Sequence, residues 1–414
     1  MQGIYLIIAL LPQATLAADD ENSGFFRSGK TSLVLNHRIE FVDDEGNALD
    51  NARASTLRTF GAYETPSRAG VSVRVGVEWV SHLGMEDFNV PGEPSVGNDV
   101  VADPAGVEVD EAFVRYTGLP QTELRLGRQY VAFRKAPLHR FVGTVPWRQN
   151  WQSMDALRVI HHVSDRFTVD YVYVDNVNRI FGEDNPNAAL ANSPMSTHLL
   201  NAKLEDLRVG SLEGFYYRLD YDNDALPGPF TDRATFGVKL QGSRALANGR
   251  QFIYLGELSR QQAIANNATA FDSAYQMRLE AGMKFSPALT AKLGVEILGS
   301  DEGLSFATPL ATVHAFQGWA DRFIGFPGEG VEDRYAMAVA KLPFGIRMLG
   351  AVHDFRTATD GTPYGREVDI QLTRKVHKVT LQLKHASYFG DGDPSLGAIS
   401  EDRTITWFTT RFSL

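Results

Sequence analysis

Residues 127–159 read "GRQYVAFRKAPLHRFVGTVPWRQNWQSMDALRV" and hold six Arg and Lys side chains, Trp147, Trp151 and a single acid, Asp155. The chain around them is acidic, with a formal net charge of −10. A guanidinium offers a planar donor fork matched to carboxylates and phosphates, and an indole offers an apolar face to sugar or aryl rings. Three chemistries use that mixture: nucleic-acid binding, capture of an anionic solute, and catalysis in a loop.

Catalysis finds little support in the remaining residues. A Ser nucleophile needs a base beside it; His139 and His161 are available, yet no Ser stands out as a partner for either. His161 and His162 are neighbours in an extended stretch and so point to opposite faces, which argues against a shared metal. "DDEG" at 43–46 and "DGD" at 391–393 contain acids without calcium-loop spacing, and turn chemistry accounts for both. No Gly-rich phosphate loop lies at a strand–helix junction. With no cysteine in the chain, disulfides, thiol nucleophiles and Cys-based zinc sites are excluded. The expectation is no enzyme, no cofactor and no metal.

The elements that position the basic segment are strands. "VSVRVGVEWV" at 71–80 places Val71, Val73, Val75, Val77 and Trp79 on one face and Arg74 and Glu78 on the other. "AYQMRLEAGMKF" at 274–285 repeats the pattern, with Arg278, Glu280 and Lys284 opposing Tyr275, Leu279 and Phe285. Period two marks strands, because successive side chains point to opposite faces. About 18 such strands follow one another from near Ser32 to Leu414. Short turns at 118–121, 164–166 and near 342 alternate with long polar stretches at 81–108, 132–153, 176–195, 300–331 and 389–401.

Those features predict an all-β fold: a transmembrane antiparallel β-barrel of about 18 strands with short periplasmic turns and long extracellular loops. The apolar face of each strand would meet lipid and the charged face a wet lumen. "RTITWFTTRFSL" at the end suits a closing strand, with Phe408, Phe412 and Leu414 on one face. The opening "MQGIYLIIALLPQATLA" predicts a signal peptide over 1–17, followed by one barrel domain over 18–414. A soluble glycan-binding β-protein is the competing fold, and nucleic acid is no natural partner for an exported barrel.

Several stretches carry a family resemblance. "LRLGRQ…HRFVG…WRQNWQSMDALRV", "VVADPAGVEVDEAFVRYTGLP", "FQGWADRFIGFPGEGVEDRYA" and "IEFVDDEGNALDNARASTLRTFGAY" together resemble the alginate-export-like outer-membrane porins of bacteria. The resemblance implies an 18-stranded monomeric barrel that passes anionic or carbohydrate-like solutes, or exports an acidic polysaccharide such as alginate. Where the family pattern has two adjacent acids before "RFVG", this chain has Lys135, Ala136 and Pro137, which makes the loop more basic.

On this map the pore-lining basic candidates are Arg38, Arg58, Arg74, Arg115, Arg125, Arg128, Arg140, Arg148, Arg158, Arg278 and Arg347. Trp147 and Trp151 in loop 132–153, and Asp155 just beyond it, are candidates for aromatic or structural contacts, and the loop is a candidate to fold into the pore. Arg128 falls on the lipid side by parity, with Leu124, Leu126 and Tyr130. Arg218, Lys239 and the acids Glu40, Asp170, Asp220 and Asp369 are in phase with the lumen. Two readings of the basic segment remain open: a positive constriction that selects small anions such as uronates, sugar acids or aromatic carboxylates, and an ion-pair network of Arg128, Arg148, Asp155 and Arg158 that fixes the loop. Outer-membrane lipid and lipopolysaccharide are the expected surroundings.

Overall fold

The computed structural model describes residues 28–222, 231–264 and 273–414. The proposed leader over 1–17 lies outside the described residues. Eighteen antiparallel strands close on themselves into one barrel. The first half comprises β1 (Lys30–Asp44), β2 (Ala52–Glu64), β3 (Val71–Asp87), β4 (Gly106–Leu119), β5 (Thr122–Gln129), β6 (Ser153–Ser164), β7 (Phe167–Asn178), β8 (Asn192–Leu207) and β9 (Gly210–Leu219). Next come β10 (Arg233–Ala245), β11 (Gln251–Ala263), β12 (Ala274–Ser286) and β13 (Leu289–Leu298). A two-residue hairpin, β14 (Ser300–Asp301) with β15 (Leu304–Ser305), stands in the loop that follows. β16 (Val331–Lys341), β17 (Ile346–Arg356), β18 (Pro363–Val376), β19 (Val379–Gly390) and β20 (Arg403–Ser413) complete the wall.

Closure is made by β1 against β20, with Ile39 opposite Phe408 and Val42 opposite Ile405. The two strands farthest apart in sequence thereby satisfy each other's backbone groups, and no edge is left to face lipid. Alternation is read out as expected on β3: Val71, Val73, Val75 and Val77 are exposed on the outside and Trp79 is 56% exposed, while Ser72, Glu78 and Val80 are buried on the inside. An outward row this apolar suits lipid, and the inward row suits a polar lumen.

The buried core of this barrel is built largely from loops. Segments 88–105, 132–152 and 306–330 enter from the long-loop end and pack on the inner wall. Val131, Phe141, Val142, Phe306 and Leu310 cluster with Phe215 and Tyr217 of β9. Phe88, Val101, Trp319 and Phe323 cluster with Phe355, Tyr364, Tyr388 and Trp407 of β17–β20.

Two parity expectations fail at such packing. Phe215, Tyr217 and Leu219 point inward, so Arg218 and Asp220 face outward, where they pair at 2.8 Å. Three consecutive aromatics at 215–217 leave the phase of β9 undecided, and packing against Phe141 decides it. Tyr130 also turns inward rather than following Leu126, its hydroxyl donating to Asp110. β5 ends at Gln129, after Gly127 at φ +122, where a Cβ would collide with the Ala112 carbonyl oxygen. Only glycine takes that conformation cheaply, and the strand phase is lost just beyond it.

Candidate functional site

Segment 132–152 is tied to 306–330 by backbone bonds: Gly143 N donates to Leu310 O at 2.8 Å, and Thr312 N donates to His139 O at 3.0 Å. Gln152 Nε2 donates to both the Gly143 and Leu310 carbonyls, at 2.8 and 3.2 Å. Gln149 fastens the segment to the opposite wall, its amide donating to Asn36 O at 3.1 Å and to Thr56 Oγ1 at 2.9 Å. The backbone N–H of Gln149 donates to Asp103 Oδ1 at 2.9 Å, which brings in the third loop.

The arginines of this segment are engaged by inner-wall carboxylates. Arg134 bonds Glu213 of β9 at 3.0 Å and Glu257 of β11 at 2.5 Å. Arg140, fully buried, bonds Glu296 of β13 at 2.7 Å. Arg148 lies 3.3 Å from Glu40 of β1 and 3.6 Å from Asp321. Arg158 of β6 bonds Asp170 of β7 at 2.6 Å.

All but one of the other candidate arginines are paired too. Arg38 meets Asp103 at 2.8 Å and Glu40 at 3.6 Å. Arg58 bonds Glu78 and lies 3.7 Å from Asp110, with its guanidinium 4.2 Å over the Trp151 ring. Arg74 meets Glu111 at 2.7 Å, Arg115 meets Glu64, Arg125 meets Glu123 at 2.5 Å, and Arg278 meets Glu280 at 2.5 Å. Arg128 stays on the outward parity of Leu126, away from the lumen, and pairs with Asp155 at 2.8 Å and with Glu183. Arg347 alone of the eleven has no carboxylate partner among the described residues.

Trp147 sits at the junction of the loops and the wall. Its ring stacks on His314 at 3.6 Å, and Lys384 Nζ of β19 lies 4.1 Å from the Trp147 ring centre, 3.8 Å from that of Trp319 and 5.3 Å from that of Trp407. His314 Nε2 is 2.5 Å from Lys384 Nζ and its Nδ1 is 2.8 Å from Asp321 Oδ1. The ammonium can only donate, so Nε2 accepts and Nδ1 carries the proton that goes to Asp321. That pattern requires a neutral imidazole, and burial holds His314 down at about 3. Lys384, His314, Asp321, Arg148, Glu40, Arg38 and Asp103 thus form one polar chain joining three loops to β1 and β19.

Toward the short-turn end these loops roof a cavity of about 910 Å³. Its walls include Arg347, Arg411, Lys292, Tyr335, Trp147 and Phe316. Glu280 in the wall is shared by Arg278, Lys292 at 2.9 Å and the Tyr335 hydroxyl at 2.6 Å. Arg411, like Arg347, has no carboxylate partner among the described residues. Both face the cavity from inward positions, on β20 and β17. Arg411 and Lys384 were not among the sequence candidates, although alternation in "TLQLKHASYF" and "WFTTRFSL" puts each on the inner face. Among the described residues no group of three or more His, Asp or Glu side chains is placed to hold a metal. His161 bonds Thr122 and His162 bonds Thr168, on separate faces.

No family model and no curated protein sequence matches the chain. Solved structures do match over nearly its whole length. Acinetobacter baumannii OccAB4 aligns at 13% identity and TM-score 0.69, over 93% of this chain and 98% of its own. Pseudomonas aeruginosa OpdK with vanillate aligns at 14% identity and TM-score 0.67, over 94% and 100%. Pseudomonas aeruginosa OccK9 (OpdG) aligns at 12% identity and TM-score 0.69, over 94% and 99%. At these identities the likeness is one of fold. Nothing among the matches is specific to an alginate-export family.

Proposed function

We propose that the chain is an outer-membrane porin of a Gram-negative bacterium that passes small anionic solutes, aromatic carboxylates and sugar acids foremost. The observation that carries this reading is the pair of unneutralised guanidiniums, Arg347 and Arg411, facing a roofed cavity that also offers the Trp147 and Phe316 rings. In a narrow passage with low-dielectric walls a few uncompensated charges set ion preference, whatever the net charge of the protein. The ten paired arginines contribute little to that field. In this proposal segment 132–153 is the inward-folded element that narrows the pore, held by the ion pairs, and selection belongs to the free cations below it.

OpdK of Pseudomonas aeruginosa, a barrel of similar fold solved with vanillate, supports an aromatic carboxylate as solute class. Export of an acidic polysaccharide is not favoured, since three packed loops occupy the lumen. The reading includes export by the leader at 1–17, a single barrel domain over 18–414 acting as a monomer, outer-membrane lipid and lipopolysaccharide around it, and no catalytic role.

Reversal potentials in planar bilayers test it. Wild type is expected to prefer chloride over potassium at low salt and to be blocked by benzoate-type anions. Arg347→Ser with Arg411→Ser is expected to lose most of that preference while conductance persists. Cation preference of the wild type at low salt would sink the proposal.

A further inference from the structure

The outer face of β16–β18 carries charge where lipid would stand. Arg334 lies opposite Asp354, and Asp354 opposite Arg366, so three outward side chains form one row across three strands. Glu332 and Arg356 form the next row toward the long-loop end. Arg334 Nε bonds Glu332 at 2.6 Å, Arg356 Nε bonds Asp354 at 2.9 Å, and Arg366 Nε lies 3.4 Å from the same Asp354. Three guanidiniums against two carboxylates leave a positive surplus. The side chains of Arg366 and Arg334 are 78% and 56% exposed. With Nε turned to a carboxylate, the outer Nη donors of both stay open.

Directly below, the next outward row is Ala336, Val352 and Val368, and the one after it is Ala338, Gly350 and Ile370. These rows border an apolar groove of about 730 Å³ on the outside of the barrel. It exists because alanine and glycine stand where larger side chains would fill the wall; a Cβ on Gly350 would meet nothing nearer than 3.7 Å. A cationic row above an apolar groove matches an amphiphile with an anionic head and a hydrocarbon tail. Charge facing lipid is costly at mid-bilayer and nearly free at the interface, so the Arg334–Arg366 row marks the headgroup level. Guanidinium forks suit phosphate oxygens better than zwitterionic heads with compensating ammonium groups.

We infer that the outer face of β16–β18 is a binding site for a phosphorylated outer-leaflet glycolipid, the lipid A part of lipopolysaccharide, with a phosphate on Arg334 and Arg366 and an acyl chain in the groove below. This rests on the membrane placement proposed above and adds a located lipid site to it.

Native mass spectrometry of the detergent-purified barrel, titrated with diphosphoryl lipid A, tests the site. Wild type is expected to retain lipid A, and R334Q/R366Q to bind about tenfold more weakly. R366K, which keeps the charge but not the fork, is expected to bind between wild type and the double variant, and Ala338→Phe, which fills the groove, to lose binding with the arginines intact. Dephosphorylated lipid A is expected to bind as poorly to wild type as lipid A does to the double variant. Equal lipid A binding by wild type and R334Q/R366Q would overturn the inference, as would full displacement by inorganic phosphate, which needs no groove. Heat-modifiable migration of each variant reads the folded barrel separately. Its loss in wild type counts against the barrel porin itself, whereas wild type that keeps the migration yet binds no lipid A overturns the lipid site alone.

Discussion

Arg140 is among the most cationic-looking residues of the basic segment, and its charge is spent inside the protein. Buried with Glu296, it behaves as a tie rather than as a selector. Removing one partner of a buried pair leaves an uncompensated charge and costs about 3–5 kcal/mol, whereas removing both is far milder. Arg140→Ala is therefore expected to loosen segment 132–152 and expose it to limited proteolysis in the detergent-solubilised barrel. Adding Glu296→Gln should restore part of the protection, because it removes the unpaired charge and its one amide oxygen can still accept from Gln317, which donates to Glu296 Oε2 at 2.7 Å, while Gln276, which donates to Oε1 at 3.1 Å, loses its acceptor. Equal cleavage of wild type and Arg140→Ala would show that the pair holds nothing. Lys384 makes the complementary point: alternation places it inward, yet nothing in sequence announces three tryptophan faces around it.

At the scale of elements, the docking of segment 132–152 carries a pH dependence. His139 Nδ1 lies 3.2 Å from Thr312 Oγ1 and accepts from Thr144 N–H at 3.4 Å. Burial lowers the ring from its ordinary 6.5 to about 4, with a backbone bond near Arg134 opposing in part. A group depressed by folding stabilises the docked state fully above its free value and loses that contribution as pH falls toward the folded value. Docking is thus expected to be intact at neutral pH and to weaken from about 6.5 down to about 4. Single-channel recordings should show open-channel noise rising over that window. In His139→Asn, whose amide oxygen stands where Nδ1 does and can still accept from Thr144, the rise should be blunted. An unchanged pH profile in that variant would remove His139 from the account.

For the whole molecule, stability depends on an outer surface that has no wish to meet water. Leu293 on β13 is 67% exposed on the outward face, between Ala281 and Ala336. Leu293→Lys, midway along β13, is expected to destabilise the barrel in liposomes by about 2–4 kcal/mol. Val96→Lys, equally open but in the loop before β4, should stay within about 0.5 kcal/mol. Urea unfolding followed by heat-modifiable migration measures both, and equal effects would contradict a lipid-facing wall.

Strand periodicity, the alternation of short and long connections, and the apolar parity of β3 and β12 sufficed to read the 18-stranded barrel, because one face of every strand answers to lipid wherever its neighbours are. The strand arginines on the inner face, such as Arg38, Arg58, Arg278 and Arg347, were legible by the same parity, whereas Arg134, Arg140 and Arg148 lie in a loop that has none. The roles of neither set were legible. Whether a guanidinium is free or neutralised depends on carboxylates far along the chain: Glu296 for Arg140, Glu257 for Arg134, Asp321 for Arg148. Loops that must fold back into the lumen bring those partners together, and no periodicity encodes where a loop ends up. The residues at 127–159 determined where charge would gather; only the tertiary pairing decided that most of it is bound as structure, leaving Arg347 and Arg411 to face the cavity.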